Sequence, residues 1–93
     1  EFFTLEQNFP NPFNPNTSIS FTLNENVNNI ELNVFDIKGN FIVSLLSGDI
    51  EAGNHSVEWN ALDEKGLMVP AGIYFYSLQA ENKVITRKMV LMK

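Results

Sequence analysis

Few side chains in this 93-residue chain could carry chemistry, and their spacing restricts what that chemistry could be. The only histidine is His55. As a general base it would need a nucleophile and an orienting acid within hydrogen-bond reach. Ser56 is adjacent, but consecutive residues of a strand point to opposite faces, so the pair cannot serve one substrate. A structural or exposed His55 is therefore expected. The carboxylates Asp63-Glu64, ahead of Gly66, and Asp49 with Glu51 come nearest to a metal site. Calcium takes roughly six to eight oxygens from converging loops, and neither pair has the spacing of a calcium loop. Solvated loops are the expected role. A glycosidase pair would need a cleft that so small a domain offers poorly. With no cysteine, thiol nucleophiles, thiolate-bound zinc and disulfides are excluded. The residues thus predict no enzyme, no cofactor and no metal.

Two further groups could bind rather than react. Phe2, Phe3, Phe9, Phe13 and Phe41, if exposed, would form an aromatic platform for sugar rings. Their alternative role, and the expected one, is to cover the open end of a small core. The second group is basic. Residues 82–93 hold Lys83, Arg87, Lys88 and Lys93 and no acid, whereas 1–81 hold two basic and eleven acidic residues. This strip reads either as an edge strand guarded by lysine or as a docking surface. The net charge of −5 argues against a nucleic-acid partner. No apolar run approaches the length of a membrane-spanning helix.

The elements that must position these residues are strands. An apolar fraction of 44% with 18% charge belongs to a globular chain, and 93 residues suffice for one core. Turn signals recur about every 8–12 residues between short alternating segments, which predicts an all-β sandwich. The thirteen asparagines supply its corners. Pro10, Pro12 and Pro15 remove three backbone donors and keep that stretch out of a central strand. The predicted layout is an extended lead-in, Glu1–Thr17, with a possible short strand near Phe2–Leu5 and a sandwich from Ser18. Strands are expected over 18–23, 30–34, 41–46, 55–59, 73–81 and 84–92. Loops fall at 24–29, 47–54 and 60–72, and Asn82-Lys83 is a candidate hairpin turn. The expected core is Phe21, Leu32, Val34, Val57, Trp59, Tyr74, Tyr76 and Leu78. Apolar residues on both faces of 73–81 place it centrally in its sheet. The chain opens at Glu1 without a Met or a signal peptide, as expected of a piece of a longer protein.

Longer motifs carry a resemblance. Gln7-Asn8-Phe9-Pro10-Asn11-Pro12-Phe13-Asn14-Pro15, followed by Thr17 and Ile19, resembles the opening of a type A C-terminal sorting domain of the type IX secretion system. Val34-Phe35-Asp36-Ile37-Lys38-Gly39, Gly53 to Asn60 around Trp59, and Ala71-Gly72-Ile73-Tyr74-Phe75-Tyr76 match its later signposts. Thr86-Arg87-Lys88-Met89-Val90-Leu91-Met92-Lys93 resembles its terminal basic–aliphatic signature. The resemblance implies a seven-stranded Ig-like sandwich and a non-catalytic secretion signal. It assigns the sorting signal to Lys88, Met89, Val90, Leu91 and Lys93, and structural roles to Asn11, Pro12, Asp36, Gly39, Trp59, Gly72 and Tyr74. Implied partners are the outer-membrane translocon, a sortase-like activity and an N-terminal passenger, with a secreted or cell-surface location reached through the periplasm. Cleavage and surface anchoring often follow in that family. Asn60, Leu62 and Leu67 depart from its pattern. The same motifs resemble the Ig-like domain of the flagellar hook-capping protein, where the sandwich is a structural module. A carbohydrate-binding accessory module of a secreted hydrolase rests on the aromatics alone.

Overall fold

A computed structural model describes residues 3–93, so Glu1 and Phe2 of the predicted lead-in and aromatic group lie outside the described residues. Seven strands form: β1 (Phe3–Leu5), β2 (Thr17–Leu23), β3 (Val27–Asp36), β4 (Phe41–Ile50), β5 (Gly53–Trp59), β6 (Gly72–Ala80) and β7 (Lys83–Leu91). They make two antiparallel sheets, β1-β2-β5 and β4-β3-β6-β7. β6 is internal, as its two apolar faces predict, and β7 is an edge. Facing antiparallel sheets of this kind make an Ig-like β-sandwich.

Period-two alternation sends Ile19, Phe21 and Leu23 of one sheet against Ile30, Leu32, Val34, Tyr76 and Leu78 of the other, all buried. Trp59 ties the two sheets together. Its ring lies 5.8 Å from that of Phe13 and 5.5 Å from that of Tyr74, and its Nε1 donates to the Leu62 carbonyl at 2.9 Å. Val57, expected in the core, is only partly buried because β5 is an edge strand. Phe3 and Phe13 are fully buried, which removes them from any exposed aromatic platform. Phe9 and Phe41 remain exposed.

Three boundaries move from their predicted places. Val27 is buried and opens β3, so the first loop shrinks to residues 24–26. Asn29 sits at φ 59 where the register with β4 shifts, a bulge that an asparagine-rich stretch disguises as a loop. β4 runs on to Ile50 and β5 starts at Gly53. Gly48 marks no turn there; it holds φ 130 within the strand. The β6–β7 turn is residues 81–82, one earlier than predicted, with Ala80 paired to Lys83 and Glu81 at φ 55. The stretch before β6 folds into a small hairpin, with Val69 N–H on the Ala61 carbonyl and Asp63 N–H on that of Leu67. Glu64 N–H then reaches the Ile42 carbonyl and covers part of the β4 edge.

Candidate functional site

The signal candidates lie on the last half of β7, where side chains divide by parity. Met89 and Leu91 point into the sandwich and are buried, whereas Lys88, Met92 and Lys93 are exposed and Val90 is half-buried. The chemistry readable from solvent is therefore two cations separated by Val90 and Met92.

The outer backbone edge of this half-strand is already occupied. The proline-rich segment runs beside it as a strap, parallel to β7 where Phe13 bridges Leu91. Gln7 Nε2 donates to the Lys88 carbonyl at 2.7 Å, and Val90 N–H donates to Asn11 Oδ1 at 3.0 Å. Phe13 N–H donates to the Val90 carbonyl, and Met92 N–H to that of Phe13. Arg87 Nε donates to the Leu5 carbonyl at 2.7 Å, so this basic residue is spent within the fold. Lys83 Nζ lies 5.6 Å from the Phe3 ring centroid, a cation–π contact at the opposite end of the strand. Lysine guarding and direct covering thus share the protection of one edge.

Asn8 anchors the strap. It is buried, its amide donates to Thr17 Oγ1 and the Pro10 carbonyl, and its backbone N–H donates to the Tyr76 hydroxyl. Thr17 Oγ1 also donates to the Pro10 carbonyl, and the Tyr76 hydroxyl donates to that of Glu6. Burial pushes the Tyr76 pKa up, against the lowering effect of the Asn8 N–H. Sequence reasoning passed over Gln7, Asn8 and Thr17 as hydrogen-bonding residues. The available signal was the prolines themselves: with three backbone donors removed, part of the strap's bonding falls to side chains such as the Gln7 and Asn8 amides.

The remaining motif residues gather at the signal end of the four-stranded sheet, where Asp36 pairs with Tyr74, Tyr74 with Met89 and Gly72 with Leu91. Asp36 Oδ1 accepts from the N–H groups of Lys38 and Asn40, with Oδ2 taking Asn40 Nδ2. These bonds, the Asn40 N–H first among them, hold the Asp36 carboxyl below its usual pKa. Gly39 completes that turn at φ 88, and Gly72 opens β6 at φ 150, both backbone states that favour glycine. Tyr74 donates its hydroxyl to the Pro70 carbonyl at 2.6 Å, and burial raises its pKa. Pro12 is exposed between Asn11 and the buried Phe13.

The other chemical candidates are not brought together. His55 stacks on Phe21 at 5.3 Å and hydrogen-bonds the Glu51 carbonyl, which fixes Nε2 as the donor, while Ser56 pairs with Ser18 Oγ. Asp63 Oδ1 accepts from Lys65 and Leu67 N–H groups, and Asp49 Oδ1 from that of Asn29. Asp63 closes its own turn, and Asp49 reaches across from β4 to the β3 bulge. Among the described residues no group of three acidic, histidine or cysteine side chains is placed to hold a metal ion.

The architecture is shared with known proteins. Latent dimeric PorU from Porphyromonas gingivalis superposes with a TM-score of 0.74 at 17% identity, over 97% of this chain and 9% of that one. PorZ, an essential bacterial surface component of the type IX secretion system of Porphyromonas gingivalis, gives 0.64 at 19% identity, over 94% and 11%. FlgD from Pseudomonas aeruginosa gives 0.62 at 26% identity, over 81% of this chain and 58% of that one. The chain thus spans only part of each of these proteins. No curated protein matches it. The FlgD Ig-like domain family matches residues 11–83, from the strap to the start of β7, and the chain belongs to that family.

Proposed function

We propose that this domain is a non-catalytic sorting module, whose β7 end directs a larger passenger through the outer membrane by the type IX system. The observation that carries the reading is the arrangement at that end. The strap fixes Lys88–Met92 in one conformation, and Lys88 and Lys93 are left to solvent. Phe3 lies beside Lys83, so a passenger joined ahead of residue 1 would emerge ten residues along the chain from Lys93, nearly the length of β7 away. At about 3.3 Å per residue that is roughly 30 Å, enough to keep the signal clear of its cargo. A part of PorZ, a surface component of that system, shares this fold and supports the reading. The translocon and a sortase-like activity are the implied partners, and the cell surface or medium the implied destination, with cleavage and anchoring to follow.

The test is a passenger fused ahead of residues 1–93 in a host with this machinery. Export of the parent fusion and periplasmic retention of Lys88→Ala/Lys93→Ala, which spares Met89 and Leu91, are expected. Normal export of the double variant would overturn the lysine signal. Failure of the parent to leave the periplasm would favour a structural module of the FlgD kind, the reading that the family match supports.

A further inference from the structure

The covering of the β7 edge has a consequence for how the strand could be read. Addition of a partner strand along Lys88–Met92 would require the Lys88, Val90 and Met92 backbone groups, which the strap holds. What remains open is the outer face of the four-stranded sheet. In the register of that sheet, Lys88 pairs with Phe75, Phe75 with Phe35, and Phe35, just past a register shift, with Phe41, so one row crosses all four strands. Alternation puts all four side chains outside, opposite the buried Met89, Tyr74, Tyr76 and Val34. The Phe35 and Phe41 rings meet edge-on at 6.2 Å. Ile73 and Val90, paired in the next row, extend the apolar area. Phe41 and Ile73 are 47% and 36% exposed, so the row presents apolar surface to solvent.

We infer that the recognised element is this face as a folded unit: the row Phe41, Phe35, Phe75 and Lys88 with Ile73 and Val90. The inference rests on the sorting reading above. Its occupant is a protein surface that lays apolar side chains on the phenylalanines and sets a carboxylate against Lys88. Two observations select that chemistry. The row is continuous with the outward residues of the signal strand, so a partner contacting Lys88 and Val90 from solvent lies on Phe75 and Ile73 as well. The row also ends in a cation with no carboxylate in it, on a chain that is otherwise acidic. A few aromatic anchors with one charge pair are the composition that dominates binding energy at protein interfaces.

The full fusion tests this with Phe41→Ser, Ile73→Ser and Lys88→Glu, and with Glu58→Ala on the opposite sheet as control. Each variant's melting temperature establishes that it is folded. The exported fraction is expected to fall about tenfold for the three face variants and to stay at the parent level for Glu58→Ala. An excess of free domain 1–93 in the periplasm should compete with export, and its Phe41→Ser form should not. If Lys88→Ala/Lys93→Ala traps the passenger while folded Phe41→Ser and Ile73→Ser fusions export normally, the sorting reading stands and this inference fails. If the parent itself is not exported, both fall. Saturable binding of an oligosaccharide to the face, lost in Phe41→Ser, would replace the protein partner with a sugar.

Discussion

Trp59 and Tyr76 show how single side chains join parts of this molecule that the sequence keeps far apart. Trp59 leaves β5 to meet Phe13 of the strap and Tyr74 of β6, so three segments share one ring contact. Trp59→Ala is expected to cost about 3–5 kcal/mol, measured as a lower denaturant midpoint; an unchanged midpoint would take Trp59 out of the core. Tyr76 acts through its hydroxyl, which accepts from Asn8 N–H and donates to the Glu6 carbonyl. Tyr76→Phe keeps the ring and orphans both backbone groups at a buried site. The expected loss is about 1–3 kcal/mol. A phenylalanine variant as stable as the parent would mean that the strap is not anchored through this hydroxyl.

Strands were more legible than their joints. Alternation located the central inward residues of β2, β3 and β6, Ile19, Phe21, Leu23, Ile30, Leu32, Val34, Tyr74, Tyr76 and Leu78, because a two-residue period with one buried face allows no other register. It failed where the chain bends without leaving the sheet. Asn29 lies in the β3 bulge and Gly48 holds φ 130 opposite Ile30, yet both residue types also signal turns, so β3 and β4 extend beyond the predicted strands. The strap was legible as extended and outside a central strand, but its partner was not: proline reveals what a segment cannot bond to, not what it does bond. Phe13 takes the expected covering role, buried against Trp59, although no alternation surrounds it to place it. The strap predicts its own dynamics. Val90 N–H is held by Asn11 Oδ1, a side-chain acceptor that Asn11→Ala removes. Amide exchange of Val90 should quicken in that variant while Leu32 and Leu78, in the buried sheet centre, keep their protection. Uniform loss across all three amides would instead identify global unfolding.

At the scale of the whole molecule, the pH response follows from groups at separate places in the sandwich. Asp36 is held below its ordinary pKa of 3.8, with the Asn40 N–H the largest cause. Depression of a carboxyl means that its stabilising effect is present above the unfolded value, near pH 4, and is lost as pH falls through the folded pKa. Asp36→Asn keeps an acceptor in the turn but removes the titration, so the acid limb of its melting curve should flatten. Tyr74 and Tyr76 are raised above 10.0, chiefly by burial. For them the sign reverses: the contribution is complete below about pH 10 and is lost as pH rises through the folded values. Ionised Tyr76 could no longer donate to the Glu6 carbonyl, so the alkaline limb should coincide with release of the strap from β7. Melting temperature and Val90 amide protection, followed together from neutral pH upward, should fall over one interval in the parent. In Tyr76→Phe the melting temperature starts lower, and its remaining alkaline limb belongs to Tyr74. An alkaline limb of undiminished size in that variant, with Val90 released over the same interval, would remove Tyr76 as the group that couples the strap to the signal strand.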